Sequence, residues 1–294
     1  MRIPPARWVA IGGTVCISFS GIFVALSGVS PVTSAFFRIA YAMPLLLAIG
    51  WYFRRDDPRS TRQRWGAFAA GVFLGIDLFF FHSAIDRIGA GLATVAVHTQ
   101  VIFVGLLSWL LYRHVPTQRT LTFGGVIFLG VALLSGLGRS DAFGDDPVTG
   151  VLMGLAAGVT YAAFLITIQA ANPRGAGPAA RVLADASWGT LAVTGAIGLL
   201  TNTLEIAPSW PAHGWLIALA LLIQIAGWAS ITYALPRLPA LTVSVIILGQ
   251  PMLAVVWGWI FLDERLSSTQ AVGVALVVVG LAAVNTQREM VRAG

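Results

Sequence analysis

Long apolar runs joined by short polar links fill almost the whole chain. A helix that crosses a bilayer core needs roughly 20 mostly apolar residues. Ten runs meet that need, at about 8–27, 31–53, 65–86, 88–112, 119–137, 148–171, 179–201, 213–235, 237–262 and 268–286. Pro31, Pro116, Pro147 and Pro178 stand at run starts, where a missing N–H costs nothing. The longest polar links are 54–64 and 138–147. The first run lacks a small-residue cleavage site followed by a polar chain, so it is expected to span the membrane rather than to be a removable signal peptide.

The runs also repeat. The stretch from Ala84 to Pro116 aligns with the stretch from Ala234 at a constant shift of 150 positions, matching Arg87 with Arg237, Gln100 with Gln250 and Trp109 with Trp259, and beyond it Gly130 matches Gly280 at the same shift. The repeat divides the chain into 1–140 and 141–294, each with five runs. Five is odd, so the second unit must enter the bilayer upside down relative to the first. The predicted fold is all-α and integral to the membrane: ten transmembrane helices in two inverted five-helix repeats forming one bundle. Inverted repeats of this kind build secondary transporters, with the substrate site at the seam. Runs 1–4 and 6–9 are expected to enclose the path, and runs 5 and 10 to be peripheral.

Composition agrees. The chain is 57% hydrophobic and 10% charged, with a mean hydropathy of +0.83, whereas a soluble domain carries about 25% charged residues. The net charge is +6, and every basic residue is an arginine in or near a link, Arg38 excepted. No basic stripe runs along a face, which argues against nucleic acid. Placing the N-terminus in the cytoplasm puts nearly all link arginines inside, among them Arg2, Arg54, Arg55, Arg59, Arg62, Arg64, Arg113, Arg174, Arg181 and Arg237. Only Arg87, Arg139 and Arg265 fall outside. Both termini are therefore expected to be cytoplasmic. The single cysteine, Cys16, excludes an intrachain disulfide. Neither GxSxG nor HExxH is present, so no enzyme is expected, and no Walker motif points to direct use of ATP.

The segments SPVTSAFFR (30–38) and QPMLAVVWGWIFLDERLSSTQAVGVALVVVGLAAV (250–284) resemble the drug/metabolite transporter superfamily, in its ten-helix EamA-type branch. The resemblance covers the whole chain, and within the branch the chain is similar to aromatic amino-acid exporters of the YddG type. It implies export of amino acids, drugs or other metabolites. The first half departs from the pattern: Val101 stands where the second has Pro251, and His114 where it has Glu264. Asp185 takes the place of Arg38.

Charged groups within a span are functional candidates, because hydrocarbon cannot solvate them. Arg38 lies seven residues into the second run and Asp77 nine from the end of the third, so their depths agree at ~1.5 Å per residue. They are candidates for a buried ion pair, either a structural bridge or a substrate or proton site. Asp185 is expected to pair locally with Arg181, four residues earlier on one helix face. His82 and His98 are either hydrogen-bonded structural groups or proton carriers. Phe19, Phe23, Phe81, Tyr161, Trp228 and Trp257 could stack on an apolar substrate or pack against neighbouring helices. Pro251 is expected to kink its helix, and Gln250 beside it either bonds freed backbone or touches substrate. Gly150, Gly154 and Gly158, and Gly71 with Gly75, have the spacing of close helix seams.

These readings converge on a transporter that exports or exchanges small metabolites by alternating access. Amino acids, aromatic or hydrophobic, are the first expectation. Cationic drugs or nucleoside-like metabolites are the alternative, and an integral membrane enzyme is a remote one. The expected partners are lipid, a small-molecule substrate and, if transport is coupled, protons. No cofactor or metal is expected, and the chain is expected to work as a monomer.

Overall fold

The computed structural model describes residues 6–113, 117–136, 141–173, 177–234, 237–238 and 240–293. Arg2, His114, Pro116, Arg139 and Arg174 lie outside the described residues. Within them every regular element is helical: α1 (Ala6–Ser18), α2 (Ser20–Ser27), α3 (Pro31–Tyr52), α4 (Thr61–Val97), α5 (Gln100–Tyr112), α6 (Gln118–Leu134), α7 (Pro147–Ala171), α8 (Ala179–Thr201), α9 (Ala212–Ala218), a π-helix (Leu219–Gly227), α10 (Trp228–Ala234), α11 (Ala240–Leu262) and α12 (Ser268–Ala293), with one 3-10 turn at Arg54–Asp56. Seven helical stretches are long and apolar enough to cross a membrane, and Gln100–Tyr112, Gln118–Leu134 and Ser268–Val284 are shorter apolar helices.

Local chemistry sets the helix starts. Ser30 caps α3 through the Thr33 N–H, with Pro31 at the first helical position. Ser60 and Gln63 form a capping box on α4. Asp146 accepts from the Thr149 N–H ahead of α7, again with a proline first. The 37 residues of α4 would make a rod of ~55 Å, far longer than a ~30 Å hydrocarbon core. Gly89, at φ +77°, breaks it into two limbs. A side chain other than glycine is strained at that angle.

Three further interruptions do not show in the apolar pattern. The first apolar run breaks at Phe19, between α1 and α2. The fourth breaks at His98–Thr99, where the Thr99 N–H turns back to the Ala96 carbonyl. The eighth widens into the π-helix. By contrast, α11 continues through Pro251.

Packing depends on small residues. The ladder Gly150, Gly154 and Gly158 on α7 lets Ile88, Ala96 and the Val97–Gln100 backbone lie directly against the helix. Gly71 of α4 meets the Ala186 carbonyl of α8, and Gly189 of α8 meets the Phe68 carbonyl. The small-residue spacings therefore mark seams inside the bundle. The principal helix pairs are α4 with α7 and α8, α3 with α8, α1 with α11 and α10, and α6 with α12.

Candidate functional site

A cavity of about 380 Å³ lies among α1, α2, α3, α4, α5, α7, α8, the π-helix, α10 and α11, and among the described residues none from α6 or α12 lines it. Seven of the eleven residues singled out above line it: Arg38, Asp77, Phe81, His98, Tyr161, Trp228 and Gln250. Thr14, Ser20, Thr94, Asn172 and Gln224 add polar groups that the sequence reading did not name, and Gln100, noted there only as the repeat partner of Gln250, lines it too. Asn172 and Ala179 carry the lining to the end of the bundle where α7 stops and α8 starts. A wider groove of about 740 Å³ lies outside the bundle, between Trp65, Trp188 and Phe36. It is an open, mostly apolar surface that includes Arg64 and Asp185 but neither Arg38 nor Asp77.

Three of the helix interruptions border the cavity. Ser20 follows the break at Phe19, and Gln100 follows the break at His98. Gln224 sits in the π-helix. Broken or widened helices free backbone groups and turn polar side chains inward. The ring of His98 bonds the Thr94 carbonyl at 2.6 Å, and Gln250 sits beside it.

Arg38 and Asp77 face this one cavity but make no ion pair. The Arg38 guanidinium donates from Nε to Gln224 Oε1 and from Nη1 to Ser20 Oγ, each at 3.1 Å. Asp77 is only 4% exposed, and its Oδ1 has no hydrogen-bond partner among the described residues. The direct pair expected from matching depths is thus replaced by an amide and a hydroxyl on the arginine side.

Four candidates lie elsewhere. His82 is fully buried, its Nδ1 2.7 Å from Ser34 Oγ, and it does not line the cavity. Phe19 stacks on Trp257 at 4.8 Å and on Phe23 at 5.8 Å, and Phe23 stacks on Trp215 at 5.7 Å. Trp257 also donates to Ser18 Oγ at 2.9 Å. These rings satisfy one another in a ladder that joins the first span to α9 and α11, and none borders the cavity. Trp215 thus belongs to this ladder, whereas Trp8, Trp51, Trp65 and Trp210 are exposed, as rings at a membrane interface are.

The two ends of the bundle are tied differently. At the Gly89 end, the buried carboxylate of Glu264, just beyond α11, accepts from the N–H groups of Ala90 and Gly91 that open the second limb of α4. Gly89, Gly91 and Gly258 leave room for it, since a Cβ on any of them would press on its carboxylate. Burial raises the Glu264 pKa above its usual value, against the pull of the two N–H groups. At the same end Gln270 of α12 accepts from the Phe143 N–H at 2.8 Å and donates to the Phe143 carbonyl at 2.9 Å.

At the opposite end the link after α3 folds onto α8. Arg59 grips Asp57 through Nε and Nη2, each at 2.9 Å, and also reaches Asp185 at 2.9 Å. Arg64 bonds Asp185 at 3.2 Å and Arg181 bonds Asp57 at 2.8 Å. The expected Arg181–Asp185 pair is therefore not formed: each residue finds a partner on the adjoining segment instead. The bonds from Arg59 hold the Asp57 carboxyl down at about 2.

The comparisons with known proteins agree with this architecture. An uncharacterized transporter of Synechocystis sp. is 24% identical over 95% of this chain and 84% of its own length. The threonine/homoserine exporter RhtA of Escherichia coli K12 is 27% identical over 74% of this chain and 70% of its own. A protein of known crystal structure, 17% identical, superposes with a TM-score of 0.62 over 98% of this chain and 99% of that one, which shows a shared fold. The profile of the EamA-like transporter family matches residues 5–136 and 148–286, so the chain belongs to that family, within the drug/metabolite transporter superfamily, and is a multi-pass membrane transporter of small substrates.

Proposed function

We propose that this chain exports amino acids across a bacterial inner membrane by alternating access, through the cavity that holds Arg38 and Asp77. The cavity carries the reading: it draws its walls from both 1–140 and 141–294, buries unlike charges, and reaches one end of the bundle at Asn172 and Ala179. Arg38, Asp77, Phe81, His98, Tyr161, Trp228 and Gln250 are the proposed substrate contacts.

The proposed architecture is ten spans in two inverted halves. Its support lies in helix pairings that exchange when the halves are exchanged. The first span packs on α11, the ninth, as α7, the sixth, packs on the second limb of α4 and on α5, which make the fourth. The fifth and tenth, α6 and α12, pack on each other away from the cavity. The family profile also matches in two segments of nearly equal length. With both termini in the cytoplasm, this conformation faces inward and is shut outside by Glu264 and Gln270.

A relative named as a threonine/homoserine exporter favours amino acids as the substrate class, so amino acids with small polar side chains join the aromatic ones as candidates. Counterflow into proteoliposomes tests the reading, with a panel of labelled threonine, phenylalanine, a nucleoside and a cationic drug at two pH gradients. Exchange of an amino acid is the expected result. Exchange of the drug or the nucleoside alone would overturn it.

A further inference from the structure

The arrangement of charge in the cavity narrows the ligand further. Asp77 is buried, and its Oδ1 makes no hydrogen bond to the protein among the described residues. Arg38 is 7% exposed. It is steadied by Gln224 and Ser20 rather than by an acid, and among the described residues its Nη2 makes no bond. A buried charge without a counter-ion is costly. A purely structural pair removes that cost by closing on itself, and this pair does not close. Gln224 and Ser20 are neutral, so they orient the guanidinium without cancelling its charge.

From this geometry we propose that the gap between Arg38 and Asp77 is a recognition site for a zwitterion. Arg38 takes the α-carboxylate of an amino acid, and Asp77 takes its α-ammonium. A simple organic cation satisfies Asp77 but is repelled by Arg38, and a simple anion has the opposite fault. Only a ligand carrying both charges at short separation neutralises the two groups together. The remainder of the ligand then lies along Phe81 and Leu78, which border the same cavity. This assignment rests on the transport reading above and adds to it which end of the substrate each residue holds.

Competition against counterflow of labelled threonine and phenylalanine tests it. The competitors are the parent amino acid, its decarboxylated amine and its N-acetyl derivative. In the wild-type protein the amine and the N-acetyl acid should each compete about 10- to 150-fold more weakly than the parent, the loss of one hydrogen bond to a charged group. In Asp77→Asn, verified as folded by size exclusion, N-acetylation should cease to matter while loss of the carboxylate still does. Competition by the amine or the N-acetyl acid at parent strength in the wild type would overturn the proposal, as would undiminished discrimination in the variant. Should Asp77→Asn not fold, the wild-type panel decides. Failure of both amino acids to exchange at all, beside successful drug exchange, would instead remove the amino-acid reading itself.

Discussion

Glu264 offers the sharpest test of how the bundle is closed. Its carboxylate is 4% exposed and accepts two backbone N–H groups that begin the second limb of α4, the Gly91 bond measuring 2.9 Å. The contact joins the end of α11, in the second half, to the break in α4, in the first. Hydrogen bonds to a charged group contribute about 1.5–3 kcal/mol each, and a carboxylate at a helix start gains a little more from the helix dipole. Glu264→Gln keeps one acceptor and turns an NH2 toward the other donor. The closed arrangement should lose about 2–3 kcal/mol, a shift of roughly 30- to 140-fold in its ratio to the opened one. The assay replaces Cys16 by serine, introduces Thr94→Cys in the cavity and measures alkylation by a membrane-impermeant reagent added on the Glu264 side. Glu264→Gln should speed labelling many-fold while the protein stays monodisperse. Unchanged labelling from that side would refute the claim that Glu264 holds the end shut.

Other consequences follow from the same contacts. Gly71→Ala drives a methyl into the Ala186 carbonyl across the α4–α8 seam, so it should cost about 1–3 kcal/mol, seen as a lower melting temperature. Trp257→Leu should lose about 0.5–1.5 kcal/mol of ring stacking on Phe19 but leave substrate selectivity in counterflow unchanged, because the ring does not line the cavity. Asp57 has its folded pKa drawn down from 3.8 to about 2 by its bonds to Arg59. Its contribution is therefore complete above about pH 4 and is lost as pH falls through about 2. The melting temperature of Asp57→Asn should accordingly lie below that of the wild type at pH 7, with the gap closing toward pH 2.

Much of the scaffold was legible in the sequence because the signals are local. A proline behind a capping residue, Ser30 or Asp146, marks the starts at Pro31 and Pro147, and Gly89 falls where the third run gives way to the fourth. The cavity was half legible. A lone charge in an apolar run, such as Arg38 or Asp77, stands out from one sequence alone. Phe19 and Trp257 could not be sorted the same way, since an aromatic ring serves a pocket wall and a packing ladder equally well. Only the three-dimensional partner, Trp257 on Phe19, decides between them. The breaks at Phe19 and His98–Thr99 carry no glycine or proline. Gln224 was equally quiet, a single amide in an apolar stretch whose importance comes from meeting Arg38 across the chain. The Asp57–Arg59–Asp185 cluster was misjudged for a related reason: helical spacing shows which residues share a face, not which loop folds back to meet them.

The opposed insertion of the two halves is the premise beneath all of this, and sidedness measures it directly. In a Cys16→Ser background, Asp86→Cys and Arg237→Cys place single thiols at two exposed positions close to equivalent points of the repeat. Impermeant thiol reagents applied to intact cells, then to inverted membrane vesicles, should label Asp86→Cys only from outside and Arg237→Cys only from inside. Labelling of both thiols from the same compartment would contradict the account.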